Sequence, residues 1–344
     1  MGYAEKAEAV MRFIQEKFWD DEARLYRGAL PPDPTLPPHE YMWGSGVQFT
    51  ALTAATRRNP ETYRPILDGF ARGLRRYWDD TPVAGFLDSY NKAPGSGKYY
   101  DDNAWLVLGF VEAYEVTGDA AYMGWARETQ KFCLSGWDDA LGGGIYWFED
   151  HRSKNTCSNG PTAAAALRLF LVGKDLDQLF WAKRIVEWTN RTFQDADGLF
   201  WDNLTVDGTL NKTKWTYNSA LMIRSNVLLY EATGDEPYLA EARRIADAGL
   251  AAWADPETGA IANTARFSHL FCEALLRLHD ATGQPGYLEA VRRHAEFGDR
   301  YVRCSDGGYH NAWTVEHPAD ERRELIENAS AARLLWELAE YDAA

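Results

Sequence analysis

Several features that define common protein classes are missing from this sequence of 344 residues. No apolar run approaches the roughly 20 residues that a membrane-spanning helix needs. No stretch rich in lysine and arginine offsets the formal net charge of −15, which would repel phosphate backbones and anionic membrane surfaces. We therefore expect neither a nucleic acid nor a membrane as a partner.

Cysteine and histidine are sparse, and their spacing indicates no metal site. The four cysteines stand singly, without a CxxC motif, at Cys133, Cys157, Cys272 and Cys304. We predict that they are reduced and mostly buried. None of the seven histidines forms HExxH or another metal spacing. The sequence thus predicts no metal, and we expect no other cofactor.

The chain begins without a recognisable export signal. MGYAEKAEAVMRFIQEKF has the pattern of an amphipathic helix, not of a basic segment followed by an apolar core. We expect a cytoplasmic protein for the sequence as it stands, or an extracellular one if a signal has been removed. We also expect a monomer.

Aromatic residues are abundant, and some of them mark a repeat. The chain holds 14 Trp, 18 Tyr and 15 Phe, more than a core of this size requires, so some should line a binding surface. The phrases FWDD, YWDD and GWDD place Trp19, Trp78 and Trp137 at intervals of 59 residues, and weaker echoes follow at Phe193, Trp253 and Tyr301. Six units of similar length predict a repeat architecture.

A second marker separates two kinds of helix within each unit. The marker recurs as EVTGD (115–119), EATGD (231–235), DATGQ (280–284) and the degenerate VGKD (172–175). Its glycine suits a helix C-cap, and the aspartate that follows in three of the four suits the next N-cap. The segment before each marker is apolar nearly all round, as in DDNAWLVLGFVEAYEV, which is typical of a buried helix. The segment after it is amphipathic and predicts an outer helix.

This alternation predicts an all-α fold in a single domain spanning residues 1–344. About twelve helices would form six hairpins that close into an α/α toroid, because an open solenoid would need capping repeats that the sequence lacks. If the inner helices all run the same way, their N-termini meet at one mouth. The loops that feed these N-termini concentrate Gly, Asn, Lys and aromatic residues, a mixture suited to a polyhydroxylated ligand.

Asp101 and Asp102 are the candidate catalytic residues. Glycoside hydrolysis needs one carboxylic acid and one carboxylate, and two neighbours in the first turn of a buried helix would diverge by about 100° into the mouth. The alternative is structural, because aspartate is a common N-cap and the sequence has three other Asp-Asp pairs. Those pairs, however, belong to the repeated phrase, whereas this pair lies outside it. On spacing alone, both interpretations stay open.

The surrounding motifs resemble those of a known family. YYDDNAW before an apolar helix, GGGIYWFEDHRSKNTCSNG some forty residues later and WTYNSALMIRSNVLLYEATGD beyond it are similar, in this order, to segments of glycoside hydrolase family 76, the α-1,6-mannanases. The resemblance covers roughly residues 40 to 285. It implies an α/α toroid that cleaves α-1,6-linked mannose chains with retention, with Asp101 as the nucleophile and Asp102 as the acid/base.

Other side chains near the expected mouth are candidates for binding sugar. Aromatic residues stack on sugar faces and hydrogen-bond hydroxyls, and amides can bind pairs of hydroxyls. Core packing for the aromatic residues and helix capping for the asparagines are the alternatives. The predicted substrate-binding residues are Trp43, Tyr90, Tyr100, Tyr146, Trp147, Lys154, Asn155, Asn159, Tyr217, Asn218 and His269, with Trp215 as a further aromatic candidate.

Two other function classes fit the same architecture. A sugar epimerase or isomerase of the α/α-barrel type would use histidines as proton shuttles, and His269 and His310 are the two that can reach the mouth. A toroid that only binds glycans would turn nothing over. The carbohydrate hydrolase is the interpretation that the motifs favour.

Overall fold

A ring of helices forms the body of the protein. The structure is a computed structural model that describes residues 1–90, 96–262, 264–318 and 322–342. Twelve α-helices lie within these ranges. Six are inner helices: α2 (Met42–Arg58), α4 (Tyr100–Thr117), α6 (Thr156–Gly173), α8 (Thr216–Thr233), α10 (Ala265–Thr282) and α12 (Leu325–Ala339). Six are outer helices: α1 (Tyr3–Lys17), α3 (Pro60–Leu74), α5 (Ala120–Ser135), α7 (Leu176–Phe193), α9 (Glu236–Trp253) and α11 (Pro285–Phe297).

The inner helices close on themselves. Each packs against the next inner helix, and α12 packs against α2, which completes the ring. Each outer helix packs on the inner helix that precedes it, except that α1 packs on α12. The sixth hairpin is therefore built from the two ends of the chain, where the backbone N–H of Tyr3 donates to the Asp342 carboxylate at 3.0 Å. The predicted α/α toroid is confirmed.

The marker sequences form the tight turns between inner and outer helices. Gly118, Gly234 and Gly283 adopt φ of 71°, 76° and 68° at the ends of α4, α8 and α10, a conformation that disfavours residues with a Cβ. In the degenerate marker the helix extends through Gly173, and Lys174 takes the left-handed position with φ of 57°. In the first marker, which contains Gly118, the side chain of Asp119 accepts the N–H of Ala121 and caps α5.

Short strands precede the inner helices and brace the mouth of the ring. Antiparallel pairs join β1 (Trp19–Asp20) to β2 (Leu25–Tyr26), β4 (Trp78–Asp79) to β5 (Gly85–Phe86) and β3 (Ala29–Leu30) to β9 (Arg323–Glu324), while β6 (Ser153–Asn155), β7 (Asn203–Thr205) and β8 (Leu210–Asn211) form a three-stranded sheet. The repeated WDD phrase supplies β1 and β4. Its aspartates serve local structure, since Asp20 accepts the N–H of Ala23 at 3.1 Å.

A network of buried charges fills the ring below the mouth. Arg333 of α12 contacts Glu112 of α4 and Glu273 of α10, each at 2.8 Å, and Glu337 at 2.9 Å. Arg57 of α2 also contacts Glu112, at 2.9 Å. The network links four inner helices through ionic hydrogen bonds. Among the described residues, no helix combines the length and the apolar character needed to cross a bilayer.

Candidate active site

A cavity of about 760 Å³ lies where the N-terminal ends of the six inner helices meet, within the usual size of ligand pockets. The second residue of every inner helix lines it: Trp43, Asp101, Cys157, Tyr217, Arg266 and Ile326. In five of the six helices the residue immediately before the helix lines it too: Tyr41, Tyr99, Asn155, Trp215 and Glu324. The inner-helix N-termini thus converge at one mouth, as the sequence predicted.

Asp101 and Asp102 occupy the first turn of α4, and both are half-buried. The helix N-terminus presents backbone N–H groups and a partial positive charge, which favours a carboxylate there. Trp147 Nε1 donates to Asp101 Oδ2 at 3.1 Å, while the N–H of Tyr100 donates to the carbonyl of Trp147 at 2.9 Å. These two contacts hold the start of α4 and the Trp147 segment in a fixed relation.

The two carboxyls differ in their affinity for a proton. Burial raises the pKa of Asp101 to about 6, while hydrogen bonds from Cys157 and Trp147 oppose the increase. Burial also raises the pKa of Asp102, and the negative charges of Asp101 and Asp88 add to the effect, so that it lies well above its usual range. Of the two carboxyls, Asp102 therefore holds a proton more strongly, and Asp101 is the one that ionises first.

A cluster of aromatic rings lines the opposite side of the cavity, on α2, α8 and α10. Phe267 is at its centre: it stacks on Tyr217 with ring centroids 4.6 Å apart and on Trp43 at 5.6 Å, and lies 5.5 Å from Trp215. Aromatic faces of this kind bind the apolar faces of sugar rings. The cluster gives the cavity an apolar wall facing the carboxyl pair.

The fourth residue of the inner helices holds the preceding loop in place. The amides of Asn103, Asn159 and Asn328 each form two hydrogen bonds with the N–H and C=O of one backbone residue, which is Phe86, Ile145 and Tyr309 respectively. In α8, the hydroxyl of Ser219 accepts the backbone N–H of Phe200 at 3.2 Å. All three asparagines are buried. The polar fourth residue therefore fixes the loops that form the cavity wall.

The predicted substrate-binding residues separate into two groups. Those on the cavity are Trp43, Trp147, Asn155 and Tyr217, together with the further candidate Trp215. Those that do not line it are Tyr90, Tyr100, Tyr146, Lys154, Asn159, Asn218 and His269. The first group occupies the second helical position, the position before a helix, or a strand loop that faces the mouth.

Packing explains where the second group lies. Tyr100 is the first residue of α4, and its ring stacks on Phe132 at 4.6 Å. Tyr146 stacks on His151 at 4.2 Å, Tyr90 packs against other rings beside the cavity, and Asn159 serves the loop scaffold described above. Asn218 lies behind the cavity wall, where it donates to Asp202 at 3.3 Å.

Lys154 is a buried structural cation. Its side chain is fully buried, and Nζ donates to the Asp138 carboxylate at 2.5 Å and to the carbonyls of Ala140 and Gly143, both at 2.8 Å. These contacts fold the glycine-rich turn back onto β6. All of the observed hydrogen bonds of the ammonium group thus serve the turn.

Replacing Lys154 with methionine should lower the free energy of unfolding by about 2–4 kcal/mol, because the turn carbonyls and Asp138 lose a charged donor. The KM for substrate should stay within a factor of about two, since the side chain does not line the cavity. Denaturant unfolding and steady-state kinetics check the two effects. The exposed Lys183, changed to methionine, is the matched control, and a tenfold rise in KM without a stability loss would contradict this role.

The two histidines of the epimerase alternative lie outside the main cavity. His269 is 2% exposed, and its Nδ1 contacts the carbonyl of Ala265 at 2.8 Å. It lines a smaller space of about 30 Å³ below the mouth. His310 stacks on His317 with ring centroids 3.9 Å apart. Over the described residues, no three His, Cys, Asp or Glu side chains are arranged to hold a metal ion.

Several cavity residues were not among the sequence predictions. They include Glu40, Asp88, Cys157, Asp202, Arg266 and Phe267. Cys157 and Arg266 occupy the second position of an inner helix, the position shared by Asp101, so the register of the repeat was a signal for them. Phe267 lies at the third position, as does Asp102. Glu40 and Asp202 lie in loops, where the repeat provides no register.

Comparisons with known proteins agree with this geometry. Residues 2–282 match the sequence profile of the family described as Glycosyl hydrolase family 76. A mannan endo-1,6-alpha-mannosidase of Candida glabrata is 29% identical over 112 residues, which cover 29% of this chain and 25% of that protein. The match thus spans about a quarter of the length of this curated relative.

Two solved structures share the whole fold. A GH76 alpha-mannanase of Bacteroides thetaiotaomicron has a TM-score of 0.93 and 25% identity, covering 100% of this chain and 97% of that one. The GH76A alpha-1,6-mannanase of Salegentibacter sp. HEL1_6 has a TM-score of 0.85 and 25% identity, covering 99% and 100%. The resemblance drawn from the sequence motifs is confirmed: the chain belongs to glycosyl hydrolase family 76.

Proposed function

We propose that this protein hydrolyses α-1,6-linked mannose chains with retention of configuration, using Asp101 as the nucleophile and Asp102 as the acid/base. The observation that carries the proposal is the carboxyl pair itself. Two adjacent carboxyls face one cavity, and their environments favour a carboxylate at Asp101 and a protonated acid at Asp102. This is the division of roles that glycoside hydrolysis requires.

In the first step, Asp102 donates its proton to the glycosidic oxygen as the bond from that oxygen to the anomeric carbon breaks. The Asp101 carboxylate attacks the same carbon from the opposite face and forms a covalent mannosyl ester. The Trp147 N–H orients one oxygen of Asp101. The helix N-terminus stabilises the carboxylate before the attack, and the leaving sugar departs with the proton.

In the second step, the ionised Asp102 accepts a proton from a water molecule as the water oxygen attacks the anomeric carbon. The ester bond to Asp101 breaks, and both carboxyls return to their initial protonation states. Two inversions at one carbon give net retention, so the α-mannoside yields an α-configured product. The high proton affinity of Asp102 beside an ionised Asp101 suits it to both transfers.

The substrate assignment is supported by the relatives, whose names specify α-mannanase, α-1,6-mannanase and endo-1,6-α-mannosidase activities. The aromatic cluster around Phe267 and the amide of Asn155 offer the stacking and hydrogen-bonding groups that a neutral sugar chain needs. One chain supplies all six inner helices around the cavity. The site therefore requires no second subunit, and we propose that the enzyme acts as a monomer.

Incubation with α-1,6-mannotetraose and with α-1,2- and α-1,3-linked mannooligosaccharides tests the assignment. We expect new reducing ends from the α-1,6-linked substrate alone, measured by chromatographic separation of products. An Asp101→Asn protein is the control for contaminating activity. Binding without product would identify a non-catalytic glycan-binding protein, and preferential cleavage of another linkage would overturn the substrate assignment.

A further inference from the structure

Glu40 is a buried carboxyl on the cavity that the reaction above does not use. It lies two residues before α2 and is 8% exposed. Its position is fixed, because its N–H donates to the carbonyl of Tyr26 at 2.9 Å and its own carbonyl accepts the Tyr77 hydroxyl at 2.8 Å. Oε1 accepts the N–H of Tyr41 at 2.9 Å. Across the described residues, no protein donor is within hydrogen-bond distance of Oε2.

Two glycines make room for this carboxyl. A Cβ on Gly44 would lie 2.6 Å from Glu40 Cδ, and a Cβ on Gly28 would lie 3.4 Å from Oε2. Both glycines line the cavity beside Glu40. Gly44 is inside α2, where glycine costs helix stability relative to alanine. The absence of side chains at Gly28 and Gly44 thus leaves space for the Glu40 carboxyl at the cavity wall. Glycine at position 44 lowers the stability of α2 relative to alanine.

The surroundings of Glu40 favour its uncharged form. Burial is the main cause that raises the pKa of Glu40, to about 8, and the charge of Glu324 on β9 adds to the increase. The Tyr41 N–H and the charge of Arg266 on α10 oppose it, but Arg266 is already paired with Glu324 and Glu327. At neutral pH, Glu40 is therefore a carboxylic acid, which can both donate and accept a hydrogen bond.

Glu40 is also linked to the catalytic pair. Two residues further along the chain, the N–H of Met42 donates to the carbonyl of Asp88 at 2.8 Å. The Asp88 carboxylate is close enough to Asp102 to raise the pKa of Asp102. Glu40 and both members of the pair line the same cavity, so a sugar chain that extends from the pair towards α2 would pass along the wall that holds Glu40.

We propose that Glu40 is a substrate-binding residue, whose Oε2 hydrogen-bonds a hydroxyl of a mannose unit on the α2 side of Asp102. This inference rests on the proposed function. It assigns the buried acid to substrate recognition. It also explains why a glycine occupies position 44 inside a helix, since a Cβ there would collide with the Glu40 carboxyl. The hydroxyl would satisfy the carboxyl oxygen that has no protein donor.

Calorimetric binding of α-1,6-mannotetraose to an inactive Asp101→Asn parent tests the proposal. Adding Glu40→Ala should weaken binding about tenfold, the usual effect of leaving one buried hydrogen-bonding group unpaired. Adding Glu40→Gln should weaken it by less than about threefold, because an amide of the same shape still accepts from Tyr41 and donates to the sugar. Equal affinity of the Glu40→Ala protein and its parent would overturn the proposal, whatever the change in thermal stability.

A double-mutant cycle with Gly44→Ala separates recognition from structural support. The added Cβ should displace the Glu40 carboxyl and weaken binding about tenfold, while the thermal midpoint stays the same or rises because alanine favours the helix. With alanine already at position 40, Gly44→Ala should change the affinity little. An equal loss of affinity in both backgrounds would show that residue 44 acts without Glu40 and would contradict the inference.

The pH dependence gives a third measurement. Bound substrate excludes water from the cavity and disfavours a charged carboxyl further, so affinity should fall above about pH 8 in the Glu40 parent. It should fall less in the Glu40→Gln protein, where Asp102 is left as the cavity carboxyl with a raised pKa. The same profile in both would contradict the inference.

If the parent does not bind α-1,6-mannotetraose and the wild-type protein releases no sugar from it, the proposed function fails and this inference fails with it. If the parent binds and Glu40→Ala has no effect, only the inference fails.

Discussion

An Asp101→Asn protein should lose at least about 10³-fold in kcat/KM on α-1,6-mannooligosaccharides, because an amide cannot form the mannosyl ester. An Asp102→Ala protein should lose most activity on the same substrates, which need a proton on the leaving oxygen. It should keep substantial activity on an α-1,6-mannobioside with a dinitrophenyl leaving group, since that group departs without protonation. Initial rates with both substrate types give the comparison.

The pH profile of the wild-type enzyme provides an internal check on these roles. Burial raises the pKa of Asp101 to about 6, so kcat/KM should fall as the pH drops below this value and the nucleophile takes up a proton. The neighbouring Asp102 remains protonated there. If the aryl substrate rescued Asp101→Asn in place of Asp102→Ala, the two roles would be reversed; if it rescued neither, the assignment of Asp102 as the acid would be wrong.

Arg333→Met should destabilise the protein by about 3–5 kcal/mol, the usual cost of removing one partner from a buried ion pair. Arg333 contacts Glu112, Glu273 and Glu337 within 3 Å and is 5% exposed. Methionine preserves much of the side-chain volume but leaves these carboxylates short of a cation. Urea-induced unfolding, followed by circular dichroism, measures the loss.

Arg152→Met is the matched control, because the Arg152 side chain is 85% exposed and pairs only with the nearby Asp150 among the described residues. Exposed pairs contribute less than about 1 kcal/mol, so this variant should unfold close to the wild type. A loss below about 1 kcal/mol for Arg333→Met would mean that the network contributes little to holding α4, α10 and α12 together.

The repeat made the architecture predictable from the sequence. Helix periodicity and the glycine turns are local properties, and six similar units restrict how the helices pack. The buried character of α4 and the amphipathic character of α9 follow directly from their side chains. Closure of the ring through α1 and α12 was harder to foresee, since it pairs segments from opposite ends of the chain.

The site was only partly predictable, because the direction of each side chain depends on its position in the first helical turn. Asp101 and Tyr217 occupy the second position and face the cavity, whereas Tyr100 occupies the first position and faces the outer helices. Asn159 occupies the fourth position and binds a loop backbone. Residue type alone does not predict which of these side chains face the cavity. That prediction requires the residue at which each helix begins.

Loop residues were the least predictable. The ammonium group of Lys154 donates hydrogen bonds to a turn. The glycines of this turn, Gly142, Gly143 and Gly144, adopt positive φ. Glu40 depends on the space left by Gly28 and Gly44 beside its carboxyl. Neither environment is encoded by a periodic pattern, so these residues required the three-dimensional arrangement.

Proton NMR of the reducing end first formed from α-1,6-mannotetraose tests the central claim most directly. If Asp101 forms a covalent ester and Asp102 assists both steps, the α-anomer should appear first, and the β-anomer should grow only as mutarotation proceeds. An initial β-anomer would show direct attack by water and would contradict the nucleophilic role of Asp101.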